Sequence, residues 1–205
     1  DDENLGFDMA NMHKRFISLN LKSEKGLEVM HKLLAEADVF ITNMRAKSLA
    51  KMGLDWESLH ARYPRLVMGH GLGYGKKGPE KDNAGFDVTC YMGRGGVFGT
   101  TVNKGDAPMI PTNGYGDFQA SMFLASGILA ALIGREKTGA GDYVTCALEH
   151  AAIYALSTGM VSAQYGNQYP KSRREVNNPL NNVFHSKDDK WVVLCLPEYN
   201  RDWPR

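Results

Sequence analysis

The sequence predicts an α/β domain with a largely parallel sheet, and three observations carry that expectation. Short β-branched or aromatic runs alternate with stretches of helical periodicity as far as Met68. The longest apolar stretch, 118–135, has the length of a helix and ends in REKTGAG, basic residues followed by glycines. Past Pro179 the pattern changes to NVFHS, KDDK and WVVLCL, a strand, a turn and a strand unlike what precedes them.

Taken in order, Phe16 to Leu21 alternates large apolar residues with smaller or polar ones and reads as a strand. Ser23 can cap a helix on which Leu27, Met30, Leu33, Leu34 and Ala37 repeat at helical spacing. Val39 to Thr42 reads as a buried strand, followed by a helix from Asp55 that stops at Tyr63-Pro64. Leu66-Val67-Met68 opens another strand, and Gly69 to Lys81 is loop by composition. After the long helix, Tyr143 to Leu148 reads as a strand, Glu149 to about Tyr165 as a helix, and Pro170 to Asn182 as loop.

The chain of 205 residues, 43% of them apolar, suffices for one large domain or two small ones. A net charge of +1 without long runs of one sign argues against nucleic acid or an anionic membrane as partner. Ser, Gly and Ala interrupt even the run Met122 to Ile133, so no segment is expected to span a membrane. The acidic start DDENLGFDMA lacks the order of a signal peptide. Cys90, Cys146 and Cys195 are odd in number and widely spaced, which favours a reducing cytoplasm over a disulfide framework or a zinc site. The six histidines show no metal-ligand spacing, so no metal is expected.

Two motifs offer chemistry. Gly73 to Gly78 satisfies GxGxxG, but Pro79 and a charged stretch follow where a dinucleotide site needs a helix. A flexible surface loop with two lysines is the simpler reading. Asn43-Met44-Arg45 follows a strand at the carboxyl end, where open α/β sheets bind ligands, although an ordinary turn fits the same residues. Asp117 stands between Gly-Tyr-Gly and the long apolar run. An aspartate there serves as a helix N-cap. The same position also presents a carboxylate between small residues, where a helix start favours negative charge and its free N–H groups can bind an oxyanion. The residues alone leave both readings open.

Several ordered motifs carry a resemblance: KRFISLNLKSEKG, ADVFITNMRAKSLAKMGLDWESLHARYPRLV, GYGKKGP with AGFD, and GD followed by GILAALIGREKTGAGDYV. Together, from about Met12 to Trp203, they resemble the class III CoA-transferase family, which includes formyl-CoA transferase and carnitine CoA-transferase. The resemblance implies a Rossmann-like parallel sheet with helices on both faces, plus the start of a smaller second domain. Residues 1–178 would form the large domain, incomplete at its N-terminus, and 179–205 the first β-hairpin of the small one. Family chains are considerably longer, so this sequence is expected to be a fragment.

The implied activity moves CoA from an acyl-CoA to a free carboxylic acid, with Asp117 of the Gly116-Asp117 pair as nucleophile and an aspartyl-CoA thioester as intermediate. Coenzyme A is then substrate and product, and neither metal nor nicotinamide is needed. Leu19 and Lys22 match positions that meet the nucleotide, and Asn43, Met44 and Met52 match positions along the CoA groove. Arg45 and Lys51 add phosphate contacts, and Asp87 matches an acidic position near the reacting centre. The related 2-methylacyl-CoA racemases carry a histidine where this chain has Phe86, which favours transfer over racemisation. An inactive CoA-binding fragment is the non-enzymatic alternative. MGRGGVFGTT resembles family members acting on 2-hydroxy acids and aryl acids. The family also implies an interlaced homodimer.

Overall fold

The computed structural model describes residues 4–196 together with Glu198 and Arg201. Trp203, where the family resemblance ends, and the end of the expected 179–205 unit lie outside the described residues.

Helix α1 (Leu5–Ala10) leads through an irregular segment to α2 (Glu24–Glu36), β1 (Val39–Thr42), α3 (Ala46–Lys51), α4 (Trp56–Arg62) and β2 (Val67–Leu72). A π-helix (Asp87–Arg94), α5 (Val97–Thr100), α6 (Tyr115–Thr138), β3 (Tyr143–Ala147), α7 (Leu148–Ala155) and α8 (Ser157–Gln164) follow. β4 (Asn181–His185) and β5 (Trp191–Cys195) then form an antiparallel hairpin, a sheet of its own.

The main sheet is parallel throughout, in the order β1-β2-β3. Alternation along β2 sends neighbouring side chains to opposite faces. Met68 joins Leu34, Leu49, Leu54 and Leu59 of the α2–α4 side, whereas Val67 packs with Leu124 and Ile128 of α6. Helices therefore cover both faces, as the sequence predicts. α6 buries Ala120, Leu124 and Ile128 at every fourth position, one stripe against the sheet. A third cluster joins Tyr91, Met92, Val97, Ala120, Ala151 and Ala152, and so ties the start of α6 to the π-helix and α7.

Local capping follows the chemistry of the residues. Ser23 accepts from the Gly26 N–H to start α2, and Asp55 accepts from the Ser58 N–H to start α4.

Several expectations are corrected. Phe16 to Leu21 is not a strand: among the described residues no neighbouring strand offers a ladder, and Phe16 and Ile17 are exposed. β2 runs on to Leu72, into residues expected to be loop, because Gly69 lets α6 approach; a Cβ there would meet Ile128 Cδ1 at 2.6 Å. The helix expected over 149–165 is two helices, divided at Leu156. By length and composition α6 is long and apolar enough to cross a bilayer, contrary to the expectation that no segment is. In this fold its inner stripe packs on the sheet, and Met122, Leu129 and Ile133 stand exposed on its outer side.

Candidate active site

The start of α6 decides between the two readings of Asp117. Gly114, with φ of 73°, is the N-cap, so the helix opens at Tyr115 and Asp117 lies within its first turn. The N-cap reading of Asp117 is therefore overturned. Gly114 takes the left-handed conformation at little cost, which places the helix start three residues earlier than an aspartate cap would. The Asp117 side chain is exposed and has no hydrogen-bond or ion-pair partner among the described residues.

Gly116 is fixed by close approach. Its N–H donates to Asp87 Oδ1 at 2.9 Å, a buried hydrogen bond across 29 residues of sequence. A methyl group at Gly116 would run into the Tyr91 ring and the Asp87 carboxylate, so only glycine lets α6 meet the π-helix here. One helix-start N–H expected to be free for an oxyanion is thus already taken. Desolvation against this packing raises the Asp117 pKa above the usual carboxylate range, and the Asp87 charge adds to the rise. The carboxylate is a stronger base for it, while remaining open to solvent on its outer side.

A cavity of about 410 Å³ opens at the carboxyl ends of β1 and β2. That is room for part of a small-molecule ligand. Asn43, Met44 and Arg45 stand at its rim, and Trp56, His70 and Tyr143 wall it on the α3–α4 face of the sheet. Trp56 stacks on Tyr143 with ring centroids 5.5 Å apart, and Lys76 Nζ sits 4.3 Å over the Tyr143 ring. Two carboxylates at the rim are engaged: Asp55 caps α4, and Asp82 pairs with Lys47 at 2.9 Å. Arg45 makes no ion pair among the described residues, so its positive charge is available to a ligand. Phe86 lines the cavity and Asp87 holds Gly116, so two successive residues connect the cavity to the Asp117 helix start.

The remaining residues singled out from the sequence lie apart from the cavity. Leu19 is half-buried in the irregular segment before α2, and Lys22 is exposed in the turn that follows. Lys51 is exposed at the end of α3, while Met52 packs against the Leu49–Leu54 core. No helix opens at Gly78, so the GxGxxG stretch has no dinucleotide geometry. Among the described residues, no group of three His, Cys, Asp or Glu is placed to hold a metal ion.

With this geometry in place, comparison with known proteins is decisive. The model of CoA-transferase family III matches residues 1–205. The chain belongs to that family. It is 46% identical over 201 residues to (R)-2-hydroxy-4-methylpentanoate CoA-transferase of Clostridioides difficile, covering 98% of this chain and 50% of that protein. It is 48% identical over 202 residues to cinnamoyl-CoA:phenyllactate CoA-transferase of Clostridium sporogenes, covering 97% and 49%. A crystal structure of a CaiB/BaiF family protein from Brucella suis superposes with a TM-score of 0.76 at 30% identity, over 88% of this chain and 48% of that one. The chain thus spans about half the length of the family III relatives it matches.

Sequence reasoning missed three parts of this candidate site: the π-helix, His70 and Tyr143. A signal for His70 existed, since period-two alternation from Met68 puts it on the same face of β2. Reading Gly69 onward as loop concealed it.

Proposed function

We propose that the whole protein transfers CoA from an acyl-CoA thioester to a free carboxylic acid, with Asp117 as the nucleophile. The observation that carries this reading is the unpaired Asp117 carboxylate, held beside Asp87 at a helix start that only Gly116 allows, in a chain of CoA-transferase family III. An Asp117 oxygen attacks the thioester carbonyl carbon, the C–S bond of the tetrahedral adduct breaks, and CoA leaves as thiolate, with a mixed anhydride of Asp117 and the donor acid remaining. Thiolate then attacks the Asp117 carbonyl, which releases the donor acid and leaves an aspartyl-CoA thioester. The acceptor carboxylate attacks that thioester and the thiolate closes the cycle on the new acyl group, so no electrons or protons are gained or lost overall.

Arg45 and Asn43 present free polar side chains at the cavity to the CoA phosphates and amides, with Met44 beside them, while Leu19, Lys22, Lys51 and Met52, outside the cavity, contact more distant parts of CoA in the whole protein. The substrates are 2-hydroxy acids with branched or aryl side chains; the names of the two relatives support this class. Residues 179–205 begin a second domain, for which the separate β4–β5 sheet speaks. Three free cysteines are in keeping with a cytoplasmic setting, and the exposed apolar side of α6 with a homodimer.

The test is incubation of the full-length protein with acyl-CoA followed by mass spectrometry of the Asp117 peptide. A CoA-sized adduct that Asp117→Ala lacks is expected; exchange that survives in Asp117→Ala would sink the assignment. Solvent deuterium entering a 2-methylacyl-CoA would instead point to racemisation.

A further inference from the structure

His70 is one of the most buried side chains of the molecule, with 1% of its surface exposed, yet it is polar. Both ring nitrogens are used. Nε2 lies 2.7 Å from the Met44 carbonyl oxygen and Nδ1 lies 2.7 Å from the Tyr143 hydroxyl. A carbonyl oxygen only accepts, so Nε2 carries the hydrogen, and Nδ1 of the neutral ring accepts from Tyr143. The Met44 N–H donates to Thr42 Oγ1 at 3.1 Å. The backbone of Met44 is therefore held at both ends, by Thr42 from below and by His70 from the neighbouring strand. The flanking Asn43 and Arg45 side chains have no hydrogen-bond partner among the described residues and stand at the cavity rim.

We propose that neutral His70 is a positioning residue for the CoA thioester, locking the Asn43–Arg45 turn through Met44 so that its free side chains are preorganised for the ligand. The inference rests on the CoA-transfer reading above. Preorganisation spares the ligand the cost of ordering the turn, so the loss falls on binding and leaves the chemical step at Asp117 nearly untouched.

The groups facing the ring set its pH behaviour. The Tyr143 hydroxyl comes from β3 and the Lys76 ammonium from the loop after β2, while Arg45 and Glu57 stand at the cavity rim. Burial lowers the His70 pKa below the usual imidazole value; the Met44 hydrogen bond opposes this and the Lys76 charge reinforces it. With the folded value lowered, the ring stays neutral down to that lowered value. A proton on Nδ1 leaves the Nε2–H bond to the Met44 carbonyl in place, and the Tyr143 hydroxyl can turn to accept from Nδ1–H, so the hold on the turn does not depend on the titration.

The experiment measures CoA-thioester KM and kcat of the full-length protein for wild type, His70→Leu and His70→Gln. His70→Leu is expected to raise KM about tenfold, with kcat within about twofold, because the Met44 carbonyl loses its donor. His70→Gln, whose amide reaches the Nε2 position, is expected to restore most of the KM. If His70→Leu does not fold, His70→Gln decides: a KM within about threefold of wild type is expected, since glutamine keeps a donor for the Met44 carbonyl. Imidazole ¹⁵N shifts report the Nε2–H tautomer independently of activity. Unchanged KM in a folded His70→Leu, a KM in His70→Gln raised about tenfold or more, or an Nδ1–H tautomer overturns the proposal while leaving CoA transfer standing. A wild-type protein that neither binds nor exchanges CoA overturns both.

Discussion

The turn after β1 and the start of α6 are two solutions to presenting a polar side chain. At Asn43–Arg45 the backbone is pinned by side-chain hydrogen bonds from Thr42 and His70, and the presented groups are long or exposed. At Gly116–Asp117 the backbone is pinned by close packing against Tyr91 and by the Asp87 carboxylate, and the presented group is one short carboxylate. The first arrangement tolerates small shifts and suits a large ligand bound at many points. The second fixes an atom to within the play of a packed core and suits a covalent step, where misplacement by an ångström is costly.

The sharpest way to break this comparison is at Asp117 itself. Asp117→Asn should lower exchange by at least about a thousandfold, since an amide is a poor nucleophile. The same change should stabilise the fold at neutral pH. Because burial and Asp87 raise its folded pKa, an ionised Asp117 costs stability above the usual carboxylate value. That cost disappears as pH falls and the group takes up its proton. Thermal denaturation should therefore show the variant ahead of wild type at neutral pH, with the gap closing in acid.

Next in size is Gly116→Ala, which tests whether packing holds the helix start. A methyl group there overlaps Tyr91 and Asp87, so a loss of about 1–3 kcal/mol in urea unfolding is expected. Activity should fall further than stability, because the relief of the clash displaces Asp117. A substitution with no effect on either would show that α6 is free to shift and that the second arrangement is no more rigid than the first. Asp87→Asn is milder. The amide oxygen still accepts from Gly116, but the neighbouring charge is gone, so the Asp117 pKa falls. Exchange depends on ionised Asp117 and should then persist to lower pH than in wild type, which a pH–rate profile measures.

How much of this was legible in the sequence follows from the range of each interaction. Helix α4 and its stop, the start of α2 and the turn of the β4–β5 hairpin are set by neighbours in sequence, and Ser23, Asp55 and Tyr63-Pro64 announced them. The parallel sheet was legible from the order in which short apolar runs and helical stretches follow each other. Phe16 to Leu21 alternates as a strand does but finds no partner among the described residues, and a strand is a property of two segments, not one. Glycine misled twice. Gly69 belongs to a strand because α6 needs the space, and Gly114, not Asp117, caps the helix. The hydrogen bonds from Gly116 N–H to Asp87 and from His70 to Met44 span 29 and 26 residues, and no local pattern encodes them. Motifs identified Asp117 and the Asn43–Arg45 turn; only the fold shows what holds each in place.

The smallest expected effect lies at Arg45 and tests the first arrangement by itself. Arg45 is the N-cap of α3, but it caps through its backbone: its carbonyl accepts from the N–H groups of Ser48 and Leu49 at 2.9 and 3.1 Å. Arg45→Ala keeps those bonds and removes only the guanidinium, so the helix and the turn should survive. An exposed charge–phosphate contact is partly screened, and a rise of about fivefold in CoA-thioester KM with unchanged kcat is expected. The difference should shrink as salt is added. Arg45→Lys keeps a point charge without the planar fork and should fall between the two. A fall in kcat instead of a rise in KM would mean that the turn reaches the reacting atoms, and the division of labour between turn and helix start would then be wrong.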